Sequence, residues 1–231
     1  MTAAIAVESV LTARGLTQSF GERTVLDGAD LELRHGEVLA VVGVSGSGKS
    51  TLLYALAGLR QPEGGTVAWN GSENVWDLGE PDITLTRRTT CGFVFQFPAF
   101  LDDMTIAANV AVPLVVSGTK PRDARKRARD LLDRFGLGPL ADNYPSTLSG
   151  GELQRASIAR ALVMEPSIVF CDEPTGALDT ENSELVVGEL RRVAAEFGVG
   201  VLIVTHDPFV WAMCDRVLRL NEGKLVEERA S

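Results

Sequence analysis

An eight-residue, glycine-rich segment constrains the fold of this chain more than any other feature of its sequence. The segment spans Gly43–Ser50, reads GVSGSGKS and fits the pattern G-x-x-x-x-G-K-[ST]. An apolar run that suits a buried strand, Val38–Val42, precedes it, and a helical run, Thr51–Ala57, follows it. This order is typical of a phosphate-binding P-loop, so the chain is predicted to contain a strand–loop–helix unit that holds phosphate groups.

The residue types of this loop each have a chemical role in holding phosphate. Glycines let backbone N–H groups close around phosphate oxygens, and the start of the helix adds favourable partial charge. The ammonium of Lys49 is predicted to neutralise the β/γ-phosphates, the Ser50 hydroxyl to ligate Mg²⁺, and Thr51 to add a hydrogen bond. A glycine-rich turn that merely precedes a helix is the alternative. The predicted phosphate-binding residues are Gly43, Ser45, Gly46, Ser47, Gly48, Lys49, Ser50 and Thr51.

Four short apolar runs each end abruptly in a polar residue or glycine. Such continuous runs suit strands buried on both faces, as in a parallel sheet covered by helices. Ligands of open α/β sheets bind beyond the carboxyl ends of the strands, so the residues that follow the runs are predicted to converge with the glycine loop. The runs are Val38–Val42, Gly92–Phe95, Ile168–Cys171 and Val201–Thr205, and the polar residues after the last three are Gln96, Asp172, Glu173 and His206.

The rest of the pattern adds two further parts to this parallel α/β core. Val25–Leu33 and Gly64–Gly71 are typical of short strands punctuated by turns, which predicts an antiparallel layer beside the main sheet. Residues 97–162 are mainly helical in pattern and lie between the second and third buried runs. We expect them to form a helical subdomain inserted into the core.

The charge of the chain argues against a general binder of polyanions. The 22 basic and 31 acidic residues give 22 − 31 = −9, which disfavours nonspecific attraction to nucleic acid or anionic lipid, and no nucleic-acid partner is expected. One segment, Pro121–Phe135, predicts an amphipathic helix with cations away from its apolar face. These cations either face solvent or contact lipid headgroups or a membrane partner, and the sequence leaves both open. They are Arg122, Arg125, Lys126 and Arg129.

Cysteine usage and the first residues favour a cytoplasmic protein. Cys91, Cys171 and Cys214 form neither a CxxC pair nor a disulfide framework, which indicates a reducing compartment. The first five residues, MTAAI, show no basic stretch followed by an apolar core, and no window approaches the roughly 18 apolar residues that span a bilayer. Any membrane role is therefore expected to depend on a partner.

Two adjacent carboxylates follow the third apolar run. Asp172 is placed to hold Mg²⁺ through water, and Glu173 is placed to polarise an attacking water as general base. An acidic pair after a strand is more often a helix cap or turn, and Pro174 and Thr175 fit that as well. The glycine loop elsewhere in the chain favours the catalytic interpretation.

A second anion-binding arrangement lies at Leu148–Glu152. Ser149, Gly150 and Gly151 place a hydroxyl and two small residues at the positive end of a helix that runs to about Met164. The alternative is a simple helix start, with Ser149 as cap and Glu152 completing a capping box. Two phosphate-binding helix ends but one glycine loop suggest that two chains share each nucleotide.

Taken together and in this order, the motifs resemble the nucleotide-binding domains of ABC transporters over nearly the whole chain. The resemblance implies a single domain over residues 1–231 and ATP with Mg²⁺ as cofactors. It makes Gly43–Thr51 the Walker A loop, Gln96 the Q-loop glutamine, Leu148–Glu152 the signature and Ile168–Glu173 the Walker B strand. It likewise makes Ala177–Asp179 the D-loop, His206 the switch histidine and Phe20 the aromatic residue that stacks on adenine.

Several residue roles follow from the resemblance alone. Glu173, His206, Gln96 and Lys49 are implied to be catalytic, Gln96 also to contact the metal with Ser50 and Asp172, and Asp179 to contact the nucleotide. Purely structural roles remain as alternatives for three residues. Gln96 could be a polar strand end, His206 a helix cap and Phe20 a core residue. Departures from the family pattern are small, and one is Gly176, where serine is frequent.

The family resemblance also implies partners. Two domains would join head to tail around two ATP molecules, each held between one glycine loop and the Ser149 of the opposite chain, beneath transmembrane permease subunits on the inner face of the membrane. Gly92–Gln96, Asn109–Leu114 and Pro174–Asp179 resemble the macrolide-exporter, lipoprotein-releasing and cell-division subgroup. That subgroup implies export or extrusion of a drug, haem, peptide or lipid, with haem or drug preferred, or else regulation of cell-wall enzymes through a membrane partner.

The apolar segment Phe97–Leu101 follows the glutamine at the place where the family's coupling groove lies. Exposed apolar patches commonly mark partner sites, but packing within the helical subdomain is an equal alternative. A soluble ABC ATPase acting on DNA or ribosomes is disfavoured, because those proteins carry a long coiled coil or two cassettes in one chain.

Overall fold

The computed structural model describes residues 9–228, which form a mixed sheet, a second antiparallel sheet and seven α-helices. The strands are β1 (Ser9–Phe20), β2 (Arg23–Arg34), β3 (Val38–Val42), β4 (Gly64–Trp69), β5 (Cys91–Phe95), β6 (Ile168–Asp172), β7 (Gly200–Val204), β8 (Arg216–Asn221) and β9 (Lys224–Glu227). The helices are α1 (Lys49–Leu56), α2 (Glu80–Thr90), α3 (Ile106–Val116), α4 (Pro121–Arg134), α5 (Gly150–Leu162), α6 (Thr180–Phe197) and α7 (Pro208–Ala212). The expectation about the first five residues lies outside the described range.

The larger sheet has six strands in the order β5-β6-β7-β3-β8-β9, and its first five strands are parallel. The four apolar runs of the sequence form β3, β5, β6 and β7. Every residue of β3 and β7 is buried, as expected for strands covered on both faces. Because the strands run in one direction, their carboxyl ends meet at one edge of the sheet, and the polar residues that follow them lie there.

Strand residues alternate between two apolar clusters, one on each face of this sheet. In β6, Val169 and Cys171 join one cluster, while Ile168 and Phe170 join the other. Helices α3 to α7 complete the first cluster, and α1, α2 and the antiparallel sheet complete the second. This period of two is what a strand sandwiched between two layers requires.

The second sheet is antiparallel, with the order β2-β1-β4. The predicted antiparallel layer is therefore present, and it includes β1, which the sequence pattern did not indicate. The indole N–H of Trp69 at the end of β4 donates to the Leu56 carbonyl at 2.9 Å, which ties this layer to the C-terminal end of α1. The layer thus lies beside the helix that follows the glycine loop.

The segment between β5 and β6 contains helices α3, α4 and α5, and the sequence predicted a helical subdomain there. The buried amide of Asn109 on α3 holds the preceding loop: it accepts from the Leu101 N–H at 2.7 Å and donates to the Leu101 and Met104 carbonyls. The bounds 97–162 for this unit stay a prediction. None of the helices within residues 9–228 is long and apolar enough to cross a membrane.

Candidate functional site

The glycine loop connects β3 to α1 and holds its lysine in place. Lys49 is buried, and its ammonium donates to the carbonyls of Gly43 at 2.9 Å and Val44 at 3.1 Å. These two carbonyls lie at the start of the loop, so the loop wraps around the ammonium. A phosphate bound in the loop would meet a cation that is already positioned.

Gly48 has a backbone conformation and a packing environment that favour glycine. Its φ is 105°, in the left-handed region, and a Cβ at this position would lie 2.3 Å from Cγ1 of Val25. Arg23, which the sequence analysis did not single out, donates to the Gly46 carbonyl at 2.6 Å and braces the loop from β2. The turn that aims backbone N–H groups into the loop is therefore fixed from two sides.

The loop contains a polar group that suits a phosphate oxygen. The Ser47 hydroxyl oxygen is buried and has no hydrogen-bond partner among the residues that the structure describes. Buried polar groups are nearly always paired, so an unpaired hydroxyl here fits a site for a ligand oxygen. The donor set of the loop, backbone N–H groups with an ammonium and a hydroxyl, has the chemistry that a phosphate chain requires.

A cavity of about 310 Å³ extends from the loop to the antiparallel sheet. Phe20 lines it from the end of β1 and is 41% exposed, as a ring that receives a flat ligand must be. The guanidinium of Arg60 lies 4.6 Å from the centre of that ring, a cation–π contact that the sequence did not predict. The cavity is lined by Phe20, Arg23, Val25, Gly46, Gly48, Lys49, Ser50 and Thr51.

Asp172 ends β6 close to the glycine loop. Burial and the neighbouring Glu173 raise the pKa of the Asp172 carboxyl, while the Ser50 hydroxyl and the Lys49 ammonium oppose that rise. A divalent cation would reverse the balance by favouring the carboxylate. A single carboxylate beside the Ser50 hydroxyl suits Mg²⁺, since that ion usually uses one or two carboxylates together with substrate phosphates.

Glu173 has a strained backbone. Its φ is 49°, a conformation that is uncommon for residues other than glycine, and its N–H donates to the Val204 carbonyl at the end of β7 at 2.9 Å. Such outliers cost about 1–3 kcal/mol and cluster at active sites. This backbone conformation turns the chain at the end of β6. The side chain of Glu173 contacts His206 at this turn.

The Glu173 carboxylate and the His206 imidazole are in direct contact. Oε1 of Glu173 lies 2.8 Å from Nδ1 of His206, which follows β7. The histidine side chain is 70% exposed and the glutamate side chain is 20% exposed. An acid held by a partly exposed imidazole can accept a proton from water while the imidazole stays free to turn toward a ligand.

Gln96 lies against the segment that follows Glu173. A Cβ added to Gly176 would lie 2.7 Å from Nε2 of Gln96, so the missing side chain at that position leaves room for the glutamine. Behind it, the buried amide of Gln154 on α5 donates to the Phe95 carbonyl at 2.9 Å. This bond, which the sequence analysis missed, joins α5 to the end of β5 next to Gln96.

The signature segment starts α5 with a complete capping box. The Ser149 hydroxyl donates to Oε2 of Glu152 at 2.7 Å and accepts from the Glu152 N–H at 3.4 Å, while Glu152 also accepts from the Ser149 N–H at 2.8 Å. These bonds hold the pKa of the Glu152 carboxyl below its usual value. The structure therefore contains the predicted helix cap. Ser149 and Gly150 at the start of α5 remain exposed.

Gly150 and Gly151 pack on the start of α6. A Cβ on Gly151 would lie 2.3 Å from Oδ1 of Asn182, whose N–H donates to Asp179 at 2.8 Å. Asp179 is thus the cap of α6, beneath the signature segment. Among the described residues, neither Ser149 nor Asp179 lines the cavity that holds Phe20 and Lys49. The structure brings together the loop, the two acids and the histidine, but it leaves the signature apart from them.

Replacing Asp172 with asparagine is expected to stabilise the metal-free protein slightly at neutral pH. A raised pKa in the folded state means that wild-type stability falls as the pH rises through that pKa, because the folded state then loses a proton that it holds better. The amide never ionises, so the variant's gain should be absent in acid and complete at neutral pH. Thermal unfolding should show a rise of about 1–4 °C.

The same variant should lose the stabilisation that ATP and Mg²⁺ give together, since a ligand that binds only the folded state raises its stability. Asp102→Asn is the matched control, because Asp102 is an exposed acid of the loop before α3. A D172N variant that kept the full wild-type response to MgATP would contradict a metal role for Asp172.

The fold and this site define a P-loop ATPase, and comparisons with known proteins specify the family. The ABC transporter family model matches residues 26–176. The lipoprotein-releasing system ATP-binding protein LolD of Gluconobacter oxydans is 46% identical over 222 residues, which are 94% of this chain and 96% of that protein. The macrolide export ATP-binding/permease protein MacB 1/2 of Paracoccus denitrificans is 47% identical over 210 residues, which are 90% of this chain and 31% of that protein.

A solved structure of an ATP-binding cassette, a dimer in a post-hydrolysis state bound to ADP and Pi, has a TM-score of 0.83 and 34% identity to this chain. The alignment covers 96% of this chain and 100% of that one. The chain belongs to the ABC transporter family, within the lipoprotein-releasing and macrolide-export subgroup that its motifs resembled. It is an ATP-binding subunit that hydrolyses ATP, with Mg²⁺ as the associated ion.

Proposed function

We propose that this chain is the motor of a transporter that extrudes an amphipathic or lipid-modified cargo through separate permease subunits at the inner face of the membrane. Relatives named for lipoprotein release and macrolide export support this cargo class. The observation that carries the motor assignment is the 2.8 Å contact of Glu173 with His206 beside the glycine loop. A catalytic acid that is intact and held in place favours turnover over mere nucleotide binding.

For hydrolysis, we assign Glu173 as the general base and His206 as the group that holds it. Lys49 and Ser50 would hold the phosphates and Mg²⁺ with Asp172, and the ion, when bound, neutralises charge on the phosphates. Gln96 follows β5 and lies against Gly176, in the segment that follows Glu173. We assign it to sensing whether nucleotide is present.

We propose that the active unit is a head-to-tail pair of chains. The capped start of α5 exposes Ser149, and this residue does not line the cavity of its own chain as far as residues 9–228 are concerned. A second copy would bring its Ser149 to the phosphates held by Lys49. The dimeric state of the solved relative supports this arrangement.

The permease is proposed to dock in a groove of about 460 Å³ along β5, the edge strand of the larger sheet. Arg87, Arg88 and Arg160 line it together with apolar residues. On the adjoining segment Phe97 is 71% exposed and Leu101 is 51% exposed, whereas Phe100 packs on the core. Phe100 thus has the predicted packing role, and the two exposed side chains are proposed to contact a partner helix.

Co-purification from native membranes tests this function. The tagged chain should retain a permease with few membrane helices, and the purified complex should hydrolyse ATP faster when its cargo is added. Regulation of cell-wall enzymes through a membrane protein, the second candidate, predicts a membrane partner without cargo stimulation. Recovery of no membrane protein at all would contradict both.

A double substitution beside the groove tests in the same experiment whether the permease docks there. Phe97→Asp with Leu101→Asp should abolish permease retention and leave the ATPase activity of the isolated chain unchanged. The control is Leu185→Asp with Val226→Asp, which alters two exposed apolar side chains on α6 and β9. Equal permease retention by the two variants would argue against the groove as docking site.

A further inference from the structure

The turn between α3 and α4 combines exposed apolar side chains with a stripe of cations. Val115 and Val116 at the end of α3 are 41% and 61% exposed. Lys120 in the following turn is basic, as are Arg122, Arg125 and Lys126 on the exposed face of α4. We call this surface the α3–α4 corner, formed by Val115, Val116, Lys120, Arg122, Arg125 and Lys126.

The cations of the corner share one face of α4. Arg122, Arg125 and Lys126 are spaced three and four residues apart, so they stack along one exposed face of the helix, whereas Ala124, Ala128 and Leu132 are buried in the core. Asp123, the one acid in the first two turns, lies about 100° from Arg122 and about 60° from Lys126 around the helix axis, so it borders this face.

These cations are available for an outside partner. Further along α4, Arg127 pairs with Glu165, and Arg129 pairs with Asp142. Within residues 9–228, no carboxylate lies within 4.0 Å of the charged atoms of the four corner cations. A group of four unpaired cations stands out on a chain whose net charge is −9.

The position of the corner follows from the proposed docking groove. Pro113 on α3 lines that groove, and Val116 lies one helical turn further on, about 4.5 Å along the axis. If a permease occupies the groove, as the proposed function requires, the corner lies at the rim of that contact. In that arrangement the corner would face the lipid that surrounds the permease.

We propose that the α3–α4 corner binds the anionic phospholipid surface of the membrane that holds the permease. Four to eight Lys or Arg residues on an amphipathic helix are the pattern by which proteins bind anionic lipid, at about 1 kcal/mol per cation. Exposed valines beside them add apolar contact at the interface between headgroups and acyl chains. This contact would orient the chain under the membrane so that the groove along β5 faces the permease.

Vesicle sedimentation with the purified full chain tests this directly. Vesicles of phosphatidylglycerol with phosphatidylcholine should retain the wild-type chain at low salt, and vesicles of phosphatidylcholine alone should not. High salt should release it, because the Debye length falls to about 3 Å at 1 M. The variant Arg122→Gln, Arg125→Gln, Lys126→Gln should bind on the order of a hundredfold more weakly, at about fivefold per cation.

The control variant carries the same change of net charge on other surfaces: Arg14→Gln, Arg191→Gln, Lys224→Gln. These three cations are exposed on β1, α6 and β9. Glutamine keeps the helix propensity of arginine and lysine, and unchanged ATPase activity of both variants reports an intact fold.

Equal binding by the two triple variants, or no wild-type binding to anionic vesicles, would overturn the proposal. Absence of vesicle binding combined with loss of permease retention in the α4 variant would instead assign the corner to an acidic segment of the permease. The vesicle assay contains neither permease nor nucleotide, so a negative result there would not contradict the motor assignment. Conversely, failed co-purification of a permease would not contradict a positive vesicle result.

Discussion

Glu173→Gln is expected to reduce the ATPase kcat by about 10²- to 10⁴-fold while ATP still binds. The amide has the size of the carboxylate but accepts no proton, so water would no longer be activated. The contact with His206 at 2.8 Å can persist as a hydrogen bond in the variant, and the loop that holds the phosphates is untouched. Bound ATP should therefore accumulate, and with it the paired state of the chain.

Steady-state ATPase assays and a nucleotide-binding titration measure the two halves of this prediction. Glu222→Gln is the matched control, because Glu222 is an exposed glutamate with a positive φ of 47° in the turn between β8 and β9. It separates loss of the base from any effect of backbone strain. Near-normal turnover in E173Q would show that another group activates water.

Two further substitutions should each abolish activity, because they alter the two groups that are proposed to hold the phosphates, one from each chain of the pair. Lys49→Met keeps the buried aliphatic stem but removes the ammonium, and loss of a charged hydrogen bond to phosphate should weaken ATP binding by about ten- to a hundredfold. Ser149→Asp keeps a side chain that caps helices well but puts a negative charge where a phosphate would approach. Lys224→Met, at an exposed lysine of β9, is the control for the first change.

Ser149→Asp should leave ATP binding to a single chain nearly unchanged, because Ser149 does not line the chain's own cavity within the described residues. ATP-dependent pairing and turnover should be lost. Size-exclusion chromatography with and without ATP, followed by ATPase assays, measures both. Normal turnover in S149D would contradict a role for the signature in holding phosphate.

The sequence predicted the parallel core and its ligand-bearing edge well, because both depend on local signals. The glycine loop is a contiguous motif, and strands buried on both faces read as continuous apolar runs, as β3 and β7 show. The residues after those runs converge simply because parallel strands end together. Glu173 and His206 meet for that reason, although 33 residues separate them.

The strands that the pattern missed lie where burial is partial or the register is broken. β1 contains the register shift between Ala13 and Leu16, which interrupts its alternation of buried and exposed residues. In β8 five of six residues are only partly buried or exposed, so no continuous apolar run appears. α2 buries only Ile83, yet Pro81, early acids and late arginines marked its ends and could have identified it.

Three polar contacts at the site depended on tertiary structure and carried no local signal of comparable strength. Arg23 braces the loop and Arg60 stacks on Phe20 from distant parts of the chain. Gln154 offered a hint, since a glutamine on the buried side of a helix needs a partner, but nothing in the sequence named the Phe95 carbonyl as that partner.

The central claim is that a complete site needs the glycine loop of one chain and the Ser149 of another, and mixing two inactive variants tests it most directly. Lys49→Met chains retain Ser149, and Ser149→Asp chains retain Lys49. In a mixed pair, one site combines the intact loop with the intact signature, while the other lacks both.

ATPase activity should therefore reappear when the two purified variants are mixed, reaching at most about a quarter of the wild-type value, since half of the pairs are mixed and each holds one complete site of two. Each variant alone should stay inactive at the same total concentration. If the mixture is as inactive as its components across the concentration range in which wild-type chains pair, the composite site is contradicted.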